Sequence, residues 1–302
     1  MISIPKKILF CLGAQKAGTS WLYRNISQSQ SVYSARKELH YFTRANVAHH
    51  GLTDYYSSLT LGSSPFDYET KYFLDFSTSY YSSSLALDQL SAYALNPGNT
   101  FLFIYRNPVE RFISHLLNDV AAGKISISDI SEFTSCLSSP YVKNSDYLSC
   151  CSFLDAARRA LCKVVIINFD SIISSPEALM LSLSSHLDLN LSSRQLRLGK
   201  VNSTRFLERS NLDRLIANIA HHASILGLES FRKYVRDTGL PELLRNTISI
   251  NQQAKHSMTM HDQRTQVVSA MAPDLLHHMQ SQHRIFLSLV NSLGFNHIFD
   301  SL

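Results

Sequence analysis

The sequence predicts an α/β fold, a central parallel sheet flanked by helices in three layers, with a helical C-terminal part. Three observations carry that reading. Four short runs are apolar on both faces: KKILFCL (6–12), KYFLDF (71–76), TFLFIY (100–105) and KVVIINF (163–169). Such runs suit strands covered on both sides, as parallel sheets require. Helical patterns follow these strands, which is the βαβ rhythm of an open parallel sheet with right-handed crossovers. The first run also passes directly into a glycine-bracketed loop, GAQKAGTS (13–20), that opens a helix.

The elements follow in order. Residues 18–29 read as a helix, with Thr19 or Ser20 near its start. The segment 43–68 is polar and irregular, an inserted loop region. The strand at 71–76 ends in the hydroxyl-rich STS of 77–79. The strand at 100–105 is the clearest, and RNP (106–108) stops it, with Pro108 suited to a helix first turn. Val109, Phe112, Ile113, Leu116, Leu117 and Val120 recur at helical spacing over 109–121. Residues 152–162 read as a helix, 163–169 as a strand and 176–187 as a helix. Helices dominate from about residue 206, including 273–294. The frequent serines at 77–84 and 126–149 read as compositional drift. No linker separates the halves, so a single domain over 1–302 is expected, with its core at about 6–205.

Composition narrows the class. Hydrophobic residues make up 45% of the 302 and charged residues 17%. That excludes a disordered chain, which needs low hydrophobicity and high charge. Only ten glycines and eight prolines exclude collagen-like or linker-rich architecture. The charge balance, 28 − 23 = +5, suits a small anionic ligand and is too weak to argue for nucleic acid. The five cysteines at 11, 136, 150, 151 and 162 form no metal-like pair. Free thiols in a reducing compartment are expected, a disulfide from Cys136 to Cys150 or Cys151 being the alternative. A signal h-region and a membrane-spanning apolar stretch of about 20 residues are both missing, so a cytoplasmic protein is expected.

Gly13 to Ser20 fits the P-loop template GxxxxGK[ST] at both glycines and at the final hydroxyl. Thr19 stands where a nucleotide triphosphatase has its lysine, and Lys16 lies inside the loop instead. Backbone N–H groups and a helix N-terminus make such a turn a concave anion site, and Lys16 adds a point charge. An ordinary strand-to-helix turn is the plainer alternative. A second motif, YRNPVERFISH (105–115), also follows a strand and opens a helix. Arg106 lies at the strand's carboxyl end, where open α/β sheets bind ligands. Ser114 falls about two turns into the helix at about 3.6 residues per turn. An arginine fork and a hydroxyl there suit a second phosphate.

KAGTSW (16–21) resembles the 5′-phosphosulfate loop of sulfotransferases that use 3′-phosphoadenosine 5′-phosphosulfate (PAPS) and release PAP. The resemblance implies that Lys16 contacts the bridging oxygen and that Ala17, Gly18, Thr19 and Ser20 hold the 5′-phosphate. It implies that Trp21 stacks on adenine, core packing being the alternative. Arg106 and Ser114 match the family's Arg-x-Pro-x-x-Arg-x-x-Ser motif for the 3′-phosphate. Arg111 matches too, with a helix-surface or structural ion pair equally open. LGKVNSTR (198–205) resembles a late basic loop that closes over the nucleotide, with Lys200 and Arg205 as contacts and Asn202 as a weaker candidate.

RKELHYF (36–42) is similar to the K-E-x-H-F-F segment of glycan-modifying members. That implies Glu38 as the general base, with His40 as the rival base. DFSTSYY (75–81) resembles an acidic–Ser-Pro-x-Tyr segment, with Thr78 in place of proline, so Asp75 and Ser77 line the acceptor cleft or cap a turn. The implied reaction is in-line sulfuryl transfer from PAPS to a hydroxyl of a small-molecule or glycan acceptor, an amine being the alternative. It implies no metal, while the weak charge excess and the lack of a long apolar stretch predict neither a nucleic-acid partner nor a membrane span. A small-molecule P-loop kinase and a non-catalytic nucleotide-binding protein are the rival classes.

Overall fold

In the computed structural model, the structure describes residues 7–34, 36–44, 54–59, 70–121, 124–125, 134, 139–143, 146–191, 267, 269, 271–294 and 297–298. The chain divides into two compact units. One comprises Met1–Arg111, Val142–Asn202 and His277–Leu302, the other Phe112–Tyr141 and Ser203–Leu276.

The first unit holds a six-stranded sheet of β1 (Ile8–Gly13), β2 (Val32–Tyr33), β3 (Tyr72–Phe76), β4 (Thr100–Tyr105), β5 (Lys163–Asn168) and β6 (His297–Ile298). The strand order is β2-β3-β1-β4-β5-β6 and every pairing is parallel. Leu9 lies opposite Leu74 on one side and Thr100 on the other. Every residue of β1, β3 and β4 is buried, so both faces of the sheet's centre are covered. This is the three-layer α/β fold that the doubly apolar strands predict.

Aromatic side chains fill one face. Phe10 stacks on Phe101 at 5.1 Å between centroids, and Phe153 meets Phe101 edge-on at 5.0 Å. Phe103, Tyr147 and Phe286 close a second cluster, with Tyr147 5.3 Å from Phe286. Edge and offset contacts of this kind contribute beyond the area they bury. Phe286 comes from α7 (Pro273–Ser292), close to the helix expected at 273–294.

Further helices are α1 (Thr19–Ile26), α2 (Ser84–Tyr93), α3 (Pro108–Ala121), α4 (Leu148–Arg159), α5 (Phe169–Ser174) and α6 (Pro176–Leu187). Pro176 sits in the first turn of α6 and Asp188 ends it in the left-handed region, φ 51°. α2 begins where the serine run of 77–84 ends, over residues for which the sequence pattern predicts no element. Its cap is one of those serines: Ser83 Oγ accepts from the Ala86 N–H at 3.2 Å. α4 starts four residues before the expected 152, because Asp146 Oδ1 accepts from the Leu148 N–H at 2.8 Å. Residues 54–59, inside the segment read as irregular, are helical.

In the second unit, α3 continues from Phe112. Asp119 accepts from the Tyr141 hydroxyl at 3.0 Å and pairs with Lys124 at 2.9 Å and His115 at 3.6 Å. The Ala272 N–H donates to the Thr134 carbonyl at 3.2 Å.

Cys11, Cys150, Cys151 and Cys162 are free and buried, as the free-thiol reading expects; Cys136 lies outside the described residues. Burial pushes the Cys11 thiol up to about 12 and the Cys151 thiol to about 11, so both stay protonated and inert near neutrality. Among the described residues no helix is long and apolar enough to cross a membrane.

Candidate active site

β1 lies between β3 and β4, so the chain leaves it toward opposite sides of the sheet. That makes the carboxyl end of β1 the topological switch point, where open α/β sheets form their binding crevice. The turns after β1, β3 and β4 all end there.

The turn after β1 is the glycine-bracketed loop. At Gly13 φ is 147°, and a Cβ would run into the Tyr81 ring and lie 3.0 Å from the Thr78 carbonyl oxygen. Only glycine permits that approach. Gly18, at φ 83°, is the N-cap of α1, and a Cβ there would sit 2.8 Å from Ile172 Cδ1 and 3.2 Å from the Phe169 ring. No acidic residue occupies the first turn of α1, so the helix itself sets no carboxylate against its positive N-terminal dipole. Lys16 lies between the glycines at φ 65°, a left-handed conformation that costs a non-glycine residue about 1–2 kcal/mol. These features fit a bound phosphate: a curled backbone, a helix N-terminus and a lysine within the loop.

Arg106, at the end of β4, reaches this loop. Its Nη1 donates to the Lys16 carbonyl at 2.9 Å, and its guanidinium lies 4.4 Å above the Phe169 ring. Nη2 stands 3.7 Å from Glu110. The structure thus joins two residues that the sequence assigned to opposite ends of a nucleotide. Ser114, on α3, is half-buried and belongs to the second unit. Arg111 is completely buried, and its charge pulls against the burial that raises the Tyr81 and Tyr147 hydroxyls. A helix-surface ion pair is therefore not its role.

The turn after β3 holds the candidate base. The Glu38 N–H donates to the Phe76 carbonyl at 3.0 Å. The Thr78 N–H donates to Glu38 Oε2 at 2.9 Å, and the Thr78 hydroxyl lies 3.0 and 3.1 Å from the two carboxylate oxygens. Lys37 Nζ pairs with Oε1, and His40 Nε2 lies 3.3 Å from Oε2. The His40 N–H donates to Ser77 Oγ at 2.9 Å, and His40 Nδ1 bonds Ser79 Oγ at 2.7 Å. Four consecutive residues, 76–79, clasp the 38–40 turn. Glu38 (φ 63°) and His40 (φ 51°) both need such a clasp, being left-handed without being glycine. Burial holds His40 below the ordinary 6.5, outweighing the upward pull of Glu38, so the ring is neutral at pH 7.

Beneath the clasp lies Asp75, fully buried. It accepts from Ser77 Oγ at 2.6 Å and from the Tyr55 and Tyr80 hydroxyls at 3.0 Å each. Asp75 therefore anchors the clasp from inside. Of the two readings for the segment, capping a turn holds for Asp75 and Ser77, since neither is open to a cleft. Burial pushes the Asp75 carboxyl from the usual 3.8 up to about 6, although its three hydrogen bonds pull it down.

The folded protein holds a proton on Asp75 that the unfolded chain releases near pH ~4. Stability from this group is fully present below that pH and declines as pH rises toward about 6. We expect wild type to lose up to about 3 kcal/mol relative to Asp75→Asn between pH ~4 and ~6.5. Denaturant midpoints across that range check this, and parallel curves would place the titration on another group.

The other sequence candidates divide. Ala17 and Thr19 are buried in the loop and Ser20 is half-buried. Trp21, 6% exposed, packs in the core. Lys200 and Arg205, with Asn202, lie outside the described residues. Sequence reasoning missed Thr78 as a Glu38 partner and Tyr55 and Tyr80 as Asp75 partners. The signal for Thr78 was present, since a β-branched hydroxyl residue at a strand end offers two donors. Tyr55 sits in a polar insertion with no period to mark it.

The family model of the sulfotransferase domain matches residues 6–230. That span contains the loop at 13–20, the 36–42 turn, the clasp and the 105–115 motif. By that match, covering most of its length, and by the parallel-sheet fold beneath it, the chain belongs to the sulfotransferase family.

Proposed function

We propose that the chain transfers the sulfuryl group of PAPS to an acceptor hydroxyl of carbohydrate or glycan type, with Glu38 as general base. One observation carries the reading. Thr78 touches both halves of the site, its carbonyl packed on Gly13 at the start of the phosphate loop and its N–H and hydroxyl on Glu38. A base and a phosphate loop held on one three-residue turn suit a reaction between a bound phosphosulfate and a hydroxyl above it.

PAPS supplies an activated sulfuryl group on a 5′-phosphate. The chain's residues do the rest. The loop amides of Ala17 to Ser20 and the α1 N-terminus hold the 5′-phosphate. Lys16 stands against the bridging oxygen, where negative charge grows as the sulfur–oxygen bond breaks. Glu38 takes the acceptor proton as the new bond forms, because a neutral hydroxyl is a poor nucleophile. The resemblance assigns the 3′-phosphate to Arg106 and Ser114, and a late basic contact with the nucleotide to Lys200 and Arg205. A likeness between RKELHYF and glycan-modifying members supports the carbohydrate acceptor. Four free, buried thiols accord with a reducing, cytoplasmic setting.

Calorimetry with PAP, ADP and ATP in EDTA tests the reading. Micromolar PAP binding and far weaker ADP binding are expected. ATP binding that appears only with Mg²⁺, without PAP binding, would replace it with a kinase. In the same assay Arg106→Ala is expected to weaken PAP binding roughly 10–100-fold, the loss of a charge-assisted contact. Unchanged affinity would leave Arg106 only its contact with the Lys16 carbonyl.

A further inference from the structure

We infer that Thr78 is a positioning residue that aims the Glu38 carboxylate at the acceptor, an inference that rests on Glu38 being the base proposed above. Three donors besides the Thr78 hydroxyl reach this carboxylate, and they differ in kind. Lys37 is the adjacent residue, a point charge on a flexible stem, and its side chain is partly exposed. His40 stands farther off, at 3.3 Å, with its other ring nitrogen engaged by Ser79. Thr78 alone among these neighbours grips with main chain and side chain together. It is buried and β-branched, so its χ1 is stiff and the direction of its hydroxyl is set by packing.

The hydroxyl stands almost equally far from Oε1 and Oε2, at 3.0 and 3.1 Å. It can bond either oxygen, so it stays on the carboxylate whichever oxygen receives the acceptor's proton. A hydroxyl both donates and accepts, so it stays bonded after the carboxylate has become a carboxylic acid. An N–H or an ammonium group offers only donation. The proton balance is simple: the acceptor O–H proton ends on Glu38, and Thr78 keeps its own. Glu38 also sits at φ 63°, so its backbone does not hold this geometry by intrinsic preference. Misorientation of a base by a fraction of an ångström is enough to slow transfer without weakening binding.

The test uses the full chain and three substitutions. Thr78→Val keeps shape and N–H and removes the hydroxyl; Thr78→Ser keeps both donors; Glu38→Gln removes the base. Transfer from PAPS to methyl β-D-galactopyranoside, and to water without sugar, is followed by PAP release. Thr78→Val is expected to lower kcat about tenfold, with acceptor KM and PAP affinity within about twofold. Thr78→Ser is expected to recover most of that loss. In the Glu38→Gln background Thr78→Val should cost nothing more.

Wild-type turnover in Thr78→Val beside a dead Glu38→Gln overturns the positioning role and leaves the base intact. An equal loss in both backgrounds makes Thr78 merely structural and also overturns it. Full activity of Glu38→Gln overturns the base itself. Where turnover is too slow to resolve, wild type, Thr78→Val, Glu38→Ala and the double variant give a double-mutant cycle in denaturant. A coupling equal to about a tenfold change in the unfolding constant supports the contact, and strict additivity overturns it.

Discussion

Lys16→Ala is expected to lower turnover roughly 100–1,000-fold while PAP binding falls less than about tenfold, as single-turnover PAP release and calorimetry can measure. The asymmetry follows from where the lysine acts. On the proposed reading, loop amides and a helix N-terminus grip the 5′-phosphate, and the substitution leaves both in place. The lysine's charge matters most when the bridging oxygen becomes an anion, late in bond cleavage, so its removal falls on kcat. Its backbone is held independently, because Arg106 bonds the Lys16 carbonyl and not the side chain. The loop should therefore keep its shape in the variant. Equal losses in binding and turnover would mean that Lys16 serves only to hold the nucleotide.

Glu38→Gln is expected to cost about 10²–10⁴ in kcat with PAP affinity unchanged. The replacement is isosteric, and its amide oxygen still accepts from Thr78, so the 38–40 turn should persist. What disappears is a group able to take a proton. His40→Gln, measured beside it, decides between the two candidates. His40 is neutral at pH 7, so it is chemically able to act as a base. Its two ring nitrogens face Ser79 and Glu38, which suits a residue that orients Glu38. A fully active Glu38→Gln together with an inactive His40→Gln would reverse the roles.

Much of this was legible in the sequence, unevenly and for physical reasons. β4 and α6 fall where the pattern puts them, because a doubly apolar strand ended by RNP and a helix opened by Ser-Pro leave little choice of boundary. The two-residue strands β2 and β6 were invisible, being too short to carry a period. The serines around α2 hid a helix, since a serine reads alike as cap and as loop. The glycine-bracketed loop at 13–20 was found by residue type and spacing, and the Glu38 turn by its likeness to a family segment. The contacts that hold them were not. Arg106 with Lys16 spans 90 positions and Thr78 with Glu38 spans 40, and separations of that kind are set by strand order.

Lys16, Glu38 and His40 share one backbone trait: all three lie in the left-handed region that glycine occupies freely. Glycine at any of them relieves local strain in the folded state, and on the proposed mechanism each glycine also removes a side chain that the reaction uses. Abundance and activity should therefore part company at these three codons. A library sorted for cellular protein level would tolerate glycine there, and the same library sorted for sulfation would discard it. The turns at 13–18 and 36–40 are where selection for folding and selection for chemistry pull in opposite directions.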